Sequence, residues 1–360
     1  MKAKWLALLF CAFGLSPGWS LAQAQNVTIT PLGAAPGEFC VGDRALLFED
    51  PTGVRILIAP GRTVNGSRDP RLPNPADPSG GAHVLLIDHP HVDHIGEVFH
   101  TNCAGTTSSA FAFPSESNAP EIASVHNSAV LVGGEQGDFF TRKIKNITGT
   151  APAACPATGL ENVLTVPRSS PCIGVIRGGT RTVVFSGQTQ GVKVTTIPAF
   201  HAAGASRIHV DPLDGVPGPG VPAGLTGYAG QETGYIIRFT NGLTVLWTGD
   251  SGLIGDWEVQ SRFYRPNLAV VHMGDVFTMG PDEAAFAVNH LIKPKTAIPE
   301  HANQVSTSGG AVNPGTRVER FIDQVRHAKV IVPLSGVPIS CDGEGRCTQC
   351  DAAGNCTDGR

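Results

Sequence analysis

Apolar residues in this chain come in short runs separated by turn-forming sequence, and few stretches carry helical spacing. Residues 44–49 and 54–59 read as strands around Asp50-Pro51-Thr52-Gly53, a turn sequence. Residues 61–81 are polar and proline-rich and predict a loop, which leads into the fully apolar run Val84-Leu85-Leu86-Ile87. Residues 95–103 leave room for only a short helix. Residues 104–185 mix Ser, Thr, Pro and Gly with apolar pieces such as Ser128-Ala129-Val130-Leu131-Val132, which predicts strands and loops without a repeat. Residues 192–198 form a further strand. Residues 203–230 are rich in Gly and Pro, and stretches of this length inside a domain are usually functional or disordered. A substrate-covering loop is preferred there over an inert insertion. Residues 235–240 and 243–248 flank Asn241-Gly242, a favoured hairpin turn. Residues 269–271 are a buried strand, Pro281 opens a helix carrying Ala284, Val288 and Leu291, and 296–299 is a short strand. Thr316-Arg317-Val318-Glu319 is a capping box, with Val318, Phe321, Ile322 and Val325 as the apolar face of its helix, and 330–332 closes the domain. A strand-rich first half and an alternating second half fit two sheets covered by helices, with a site along one edge.

The ends of the chain add a compartment. Lys2 and Lys4 precede an apolar run over residues 5–15, and Ala22-Gln23-Ala24 follows as an A-x-A cleavage signal. The run is broken by Gly14, Ser16, Pro17 and Gly18, well short of the roughly 20 apolar residues of a membrane span. A cleaved signal peptide over 1–24 is therefore expected in preference to a retained anchor, and the destination is periplasmic or secreted. Its removal moves the formal charge from −4 to −6. A mildly acidic chain without a basic stripe argues against a nucleic-acid partner and for a small-molecule substrate. Eight cysteines remain, an even number that suggests disulfides after export. Cys155 with Cys172, and then Cys40 with Cys103, are the expected pairs. Cys341, Cys347, Cys350 and Cys356 read as two disulfides in a Cys-rich tail over 341–360, in preference to a zinc knuckle.

The chemistry is concentrated in His89-Pro90-His91-Val92-Asp93-His94, directly after the apolar run. Side chains alternate along a strand, so His89 and His91 point the same way. The chain then turns, and Asp93 and His94 face a second point nearby. Nitrogen and oxygen donors in this pattern suit borderline divalent metals with a position left open for water.

This H-x-H-x-D-H signature resembles the metallo-β-lactamase superfamily. The resemblance implies a four-layer αββα sandwich as the particular α/β (α+β) arrangement, with a hydrolase domain over 25–340. In dinuclear members the motif is followed by a distant His, a distant Asp and a last His at strand ends, and this sequence offers His201, Asp250 and His301 in that order. By resemblance, a first metal takes His89, His91 and His201, a second takes Asp93, His94 and His301, and Asp250 bridges both. Two divalent ions are implied, zinc foremost, with manganese or iron open. They would share a hydroxide that attacks a lactone, ester, amide or phosphodiester, with Asp93 orienting it or carrying a proton. A β-lactamase-type amide hydrolase and a non-catalytic metal-binding or redox protein are the alternatives; the di-iron redox members normally need a flavin domain, which is not visible here.

Residues 276–284, 293–299 and His301 look like the branch of ascorbate-6-phosphate lactonase and the relatives of N-acylethanolamine phospholipase D. That likeness covers about residues 40–335 and is loose over 104–190. Two departures stand out. Ala59-Pro60-Gly61 replaces the usual Asp-Pro-Gly and removes a supporting carboxylate, and Asp88 replaces the usual Thr or Ser before the motif, a partial compensation. The exported form is unlike cytosolic lactonases, so their sugar-phosphate substrate is not carried over. His209 lies in the irregular loop and is a candidate substrate contact. His272 is either a support for a ligand or a core histidine, and His83, His100, His126, His290 and His327 read as structural or surface residues.

Overall fold

The computed structural model describes residues 26–77, 80–96, 99–100, 102–108, 118–206, 226–228, 230–350 and 356–357. The expected signal peptide, His209 and most of the 203–230 loop lie outside them. Two mixed sheets face one another. The first runs in the order Cys356–Thr357, Cys347–Cys350, Ile339–Cys341, Val27–Pro31, Leu46–Glu49, Arg55–Ile58, Val84–Ile87, Ala129–Gly133, Cys172–Ile176 and Ala153–Ala154. The second runs Lys329–Val330, Thr296–Glu300, Leu268–His272, Thr244–Trp247, Thr233–Arg238, Gly191–Pro198, Thr180–Phe185 and Val163–Val166.

The apolar run before the motif is continuous because both of its faces are covered. Val84 and Leu86 enter the core between the sheets with Ile56, Trp247 and Val270. Leu85 and Ile87 turn the other way and pack with Ile122 and Phe140 of the helices Asn118–His126 and Gln136–Thr148. On the far side, Leu246, Ala269 and Val271 pack under Trp257, Ala284, Val288 and Phe321 of the outer helices. These three clusters make four layers, helix–sheet–sheet–helix, as expected.

Several elements differ from the sequence reading. Residues 104–185 contain the two helices just named as well as strands, and Asp256–Tyr264 is a helix that the pattern did not predict. The short helix expected over 95–103 lies earlier: a single turn, Val92–Ile95, begins inside the motif and stops at Gly96. The helix from Pro281 continues as Ala287–Ile292 in a wider winding. The hairpin pairs Tyr235 with Trp247, but its loop is longer than the Asn-Gly dipeptide. Phe239 donates to Leu243 O at 2.8 Å and accepts from Gly242 N at 3.2 Å, and Gly242 sits at φ +104°, so three residues close the turn with Gly in the left-handed position. The capping box forms, with Thr316 Oγ1 accepting from Glu319 N, while the Glu319 side chain accepts from Gly315 N.

Disulfides join Cys40 to Cys103, Cys155 to Cys172 and Cys341 to Cys347. Strand 330–332 is not the last. Ile339–Cys341 pairs with Val27–Pro31, and Cys347–Cys350 pairs with Ile339–Cys341, so the start of the Cys-rich segment continues the first sheet. Among the described residues, no helix is long and apolar enough to cross a membrane.

Candidate metal centre

All seven residues singled out by sequence converge at one edge of the sandwich. Val84–Ile87 runs parallel to both of its neighbours, so its chain leaves the sheet at the edge where Ala129–Gly133 also ends. Asp88 and His89 follow directly. His91 caps the single helical turn that carries Asp93 and His94. Gly61 makes this turn fit: a Cβ there would lie 1.9 Å from the carbonyl oxygen of Asp93. His201 follows Gly191–Pro198, Asp250 follows Thr244–Trp247, and His301 follows Thr296–Glu300. Tyr235 Oη donates to Ile87 O at 2.6 Å and ties the second sheet to the strand that bears the motif.

Three groups of donors lie at this edge: one joins Asp88, His89 and His94, and the other two match the expected sets. His89, His91 and His201 bring one ring nitrogen each within 4.8 Å of one another, and so do the donor atoms of Asp93, His94 and His301. Asp250 lies between the sets. Its Oδ2 is 3.7 Å from Nε2 of His89 and of His201, 3.3 Å from Nε2 of His94 and 3.1 Å from Nε2 of His301. The Nε2 atoms of His89, His94 and His301 are buried and make no hydrogen bond. Buried imidazole nitrogens left unpaired around a carboxylate are costly unless another group binds them. Nitrogen and carboxylate donors fit divalent ions of the zinc, manganese or iron kind.

The charges agree with that fit. Burial raises the Asp250 carboxyl, but the neighbouring His301 and His94 outweigh it and hold the group well below the usual carboxylate range. Asp88 and Asp93 follow the same pattern, with burial opposed by His94 for Asp88 and by Arg44 and then His94 for Asp93. Burial, with like charge from His89 and His201, pushes His91 down to about 4, so its ring is neutral and able to ligate near pH 7. Burial also lowers His94, yet Asp88, Asp250 and Asp93 raise it well above its ordinary value.

Sequence reasoning left part of this surround unassigned. His272 has its Nδ1 3.2 Å from Asp250 Oδ1 and packs edge-on against Trp247, so it supports Asp250 from behind. Arg44 lies 2.9 Å from Asp93 Oδ2. Asp88, expected to compensate in part for the carboxylate missing at Ala59, has its Oδ1 3.2 Å from His89 Nδ1 and 2.9 Å from His94 Nδ1. The remaining described histidines stay outside the centre. His83 and His126 accept backbone N–H groups from Arg55 and Ala82, His100 packs against Gly42, His290 lies tilted against Phe286, and His327 is exposed.

The layered fold and this His/Asp centre define the class, and the sequence pattern described as a beta-lactamase superfamily domain matches residues 40–301, so the chain belongs to that superfamily. A UPF0173 metal-dependent hydrolase of Cupriavidus necator is 28% identical over 261 residues, covering 72% of this chain and 71% of the relative. Another, from Pelotomaculum thermopropionicum, is 38% identical over 222 residues, covering 62% of this chain and 68% of the relative. Among solved structures, the metallo hydrolase Igni18 of Ignicoccus hospitalis aligns with a TM-score of 0.50 at 19% identity, over 88% of this chain and 99% of that one. The last likeness concerns the fold.

Proposed function

We propose that this protein is an exported hydrolase with two divalent metal ions, zinc foremost, acting on a small molecule that carries a lactone, ester, amide or phosphodiester bond. The observation that carries the reading is Asp250 Oδ2, which faces imidazoles of both donor sets at 3.1–3.7 Å. His89, His91 and His201 would hold one ion, Asp93, His94 and His301 the other, and Asp250 both. When bound, the ions supply an acidified water and polarise the substrate oxygen.

The protein's own groups do the rest. Asp88 and His272 orient the ligands. His89, His94 and His301 are almost wholly buried, whereas the side chain of Asp93 is 20% exposed. His91 and His201 are partly exposed as well, so substrate approaches across the face that they share with Asp93, and Asp93 is placed to orient the attacking water and to pass its proton to the leaving group. An Asp250 that bridged two ions would favour the esterase, lactonase and phosphodiesterase branches over true β-lactamases. The three disulfides and the A-x-A signal support export.

A panel of chromogenic esters, lactones, bis-nitrophenyl phosphate and nitrocefin, run with and without chelator, tests the proposal. Metal-dependent turnover of a lactone, ester or phosphodiester is expected. Turnover of nitrocefin alone would move the protein to the β-lactamases, and no turnover by the metal-loaded protein would leave a metal-binding protein.

A further inference from the structure

We propose that Arg44 makes the two halves of this centre unequal: it withholds Asp93, so the His89, His91 and His201 set fills first and the Asp93, His94 and His301 set fills only at higher free metal. The inference rests on the reading of the site as a two-ion centre.

Arg44 is 5% exposed and lies just before the strand Leu46–Glu49. Its Nη2 is 2.9 Å from Asp93 Oδ2 and donates to Asn303 Oδ1 at 2.8 Å. Asn303 stands two residues beyond His301, in the left-handed region at φ +53°. The guanidinium therefore joins the turn that bears Asp93 to the loop that bears His301. The oxygen it holds is the one turned toward the other donors, since Asp93 Oδ2 is 3.5 Å from His301 Nε2 and 3.9 Å from His94 Nε2.

Arginine keeps its charge at any pH the protein meets, and burial keeps salt from screening it. A divalent ion entering this set meets a fixed positive charge already bonded to one of its ligand atoms. The other set is free of this competition: among the described residues, the ion-pair partners of Asp250 are all imidazoles. A hydrogen bond to a ligand often orients it and strengthens metal binding. Here the bond falls on the oxygen that faces His94 and His301, so it draws on the electron density a cation needs there, and the charge effect wins.

The test is a zinc titration of the metal-free protein and of Arg44→Gln and Arg44→Lys, each against a chromophoric chelator. The wild type is expected to bind two ions with Kd values at least about tenfold apart. Arg44→Gln should tighten the weaker site by about tenfold or more and leave the tighter one unchanged, because the charge is gone. Arg44→Lys keeps the charge and should leave the weaker site within about threefold. It also decides the matter if Arg44→Gln fails to fold, since a merely orienting arginine predicts a loss of about tenfold or more on its replacement by lysine. Such a loss, a weaker second site in Arg44→Gln, or two equal wild-type sites would overturn the role of Arg44 alone. A wild-type protein that binds no zinc would overturn the two-ion reading itself.

Discussion

Asp88 Oδ1 lies 2.9 Å from Nδ1 of His94, on the side of the ring opposite the Nε2 that faces Asp250. The same oxygen is 3.2 Å from His89 Nδ1, and Oδ2 accepts the indole N–H of Trp247 at 3.2 Å. One buried carboxylate thus faces Nδ1 of two imidazoles whose Nε2 atoms are turned toward Asp250. Outer partners of this kind are worth about 10–100-fold in metal affinity. Asp88→Ala should lower zinc affinity by that factor with the fold intact, as read by competition with a chelator. An unchanged affinity would show that the rings are oriented by packing alone.

Asp250 is asked to do more, since it reaches both donor sets. Asp250→Ala should reduce the bound metal from two ions to one and lower kcat/KM by at least about 100-fold, the upper end of what an outer partner contributes. Elemental analysis beside steady-state kinetics checks this. Wild-type metal content and rate in the variant would reduce Asp250 to a turn residue.

Asp43, which is not one of the seven candidate ligands, gives a pH-dependent prediction. It is buried and accepts the backbone N–H groups of Cys40 and Ala34 at 2.8 Å each. Burial nonetheless pushes its carboxyl up to about 6 from the usual 3.8. A folded-state value above the unfolded one gives a contribution that is full below about pH 4 and is lost as pH rises through about 6. Two units correspond to at most about 3 kcal/mol. Asp43→Asn cannot ionise, but it has one acceptor for two donors and should be about 1–3 kcal/mol less stable than wild type at pH 5. By pH 8 that deficit should close or reverse. Urea unfolding of both proteins at the two pH values measures it, and an equal deficit at both would contradict the shift.

The Cys-rich segment is expected to matter for stability. Cys341 and Cys347 are buried in the core between the sheets. Asn267 donates to Gly343 O at 2.9 Å and Thr296 to Gly345 O at 2.8 Å. Deleting residues 341–360 removes a short disulfide loop, worth roughly 2–3 kcal/mol at most, together with these contacts. The oxidised truncated protein should melt clearly below the full chain. An unchanged melting temperature would make the segment a passive extension.

What could be read from the sequence was local. The six-residue motif follows an apolar run, and both lie within eleven positions, so strand and ligands were legible together. His201, Asp250 and His301 were picked out by the family resemblance rather than by local pattern, since a single His or Asp after a short strand, as at His301, is not specific by itself. The helix Gln136–Thr148 was not, because its buried Gln136, Gly137 and Lys143 blur the stripe made by Phe139, Phe140 and Ile144. Gly149 in the left-handed position at its end, with Lys145 in the last turn, was the available signal. Asp256–Tyr264 buries only Trp257 and so leaves little periodicity to find. Arg44 could not be assigned from spacing, since Asp93 and Asn303 meet it only through the fold. The same holds for His272, whose contact with Asp250 depends on two neighbouring parallel strands.

The central claim is a two-ion centre built on Asp250, and metal stoichiometry tests it most directly. Elemental analysis of the mature protein, purified without chelator and then equilibrated with zinc, should give two ions per chain, with hydrolysis abolished by EDTA and restored by zinc. Fewer than one ion per chain, with full activity retained in EDTA, would contradict it.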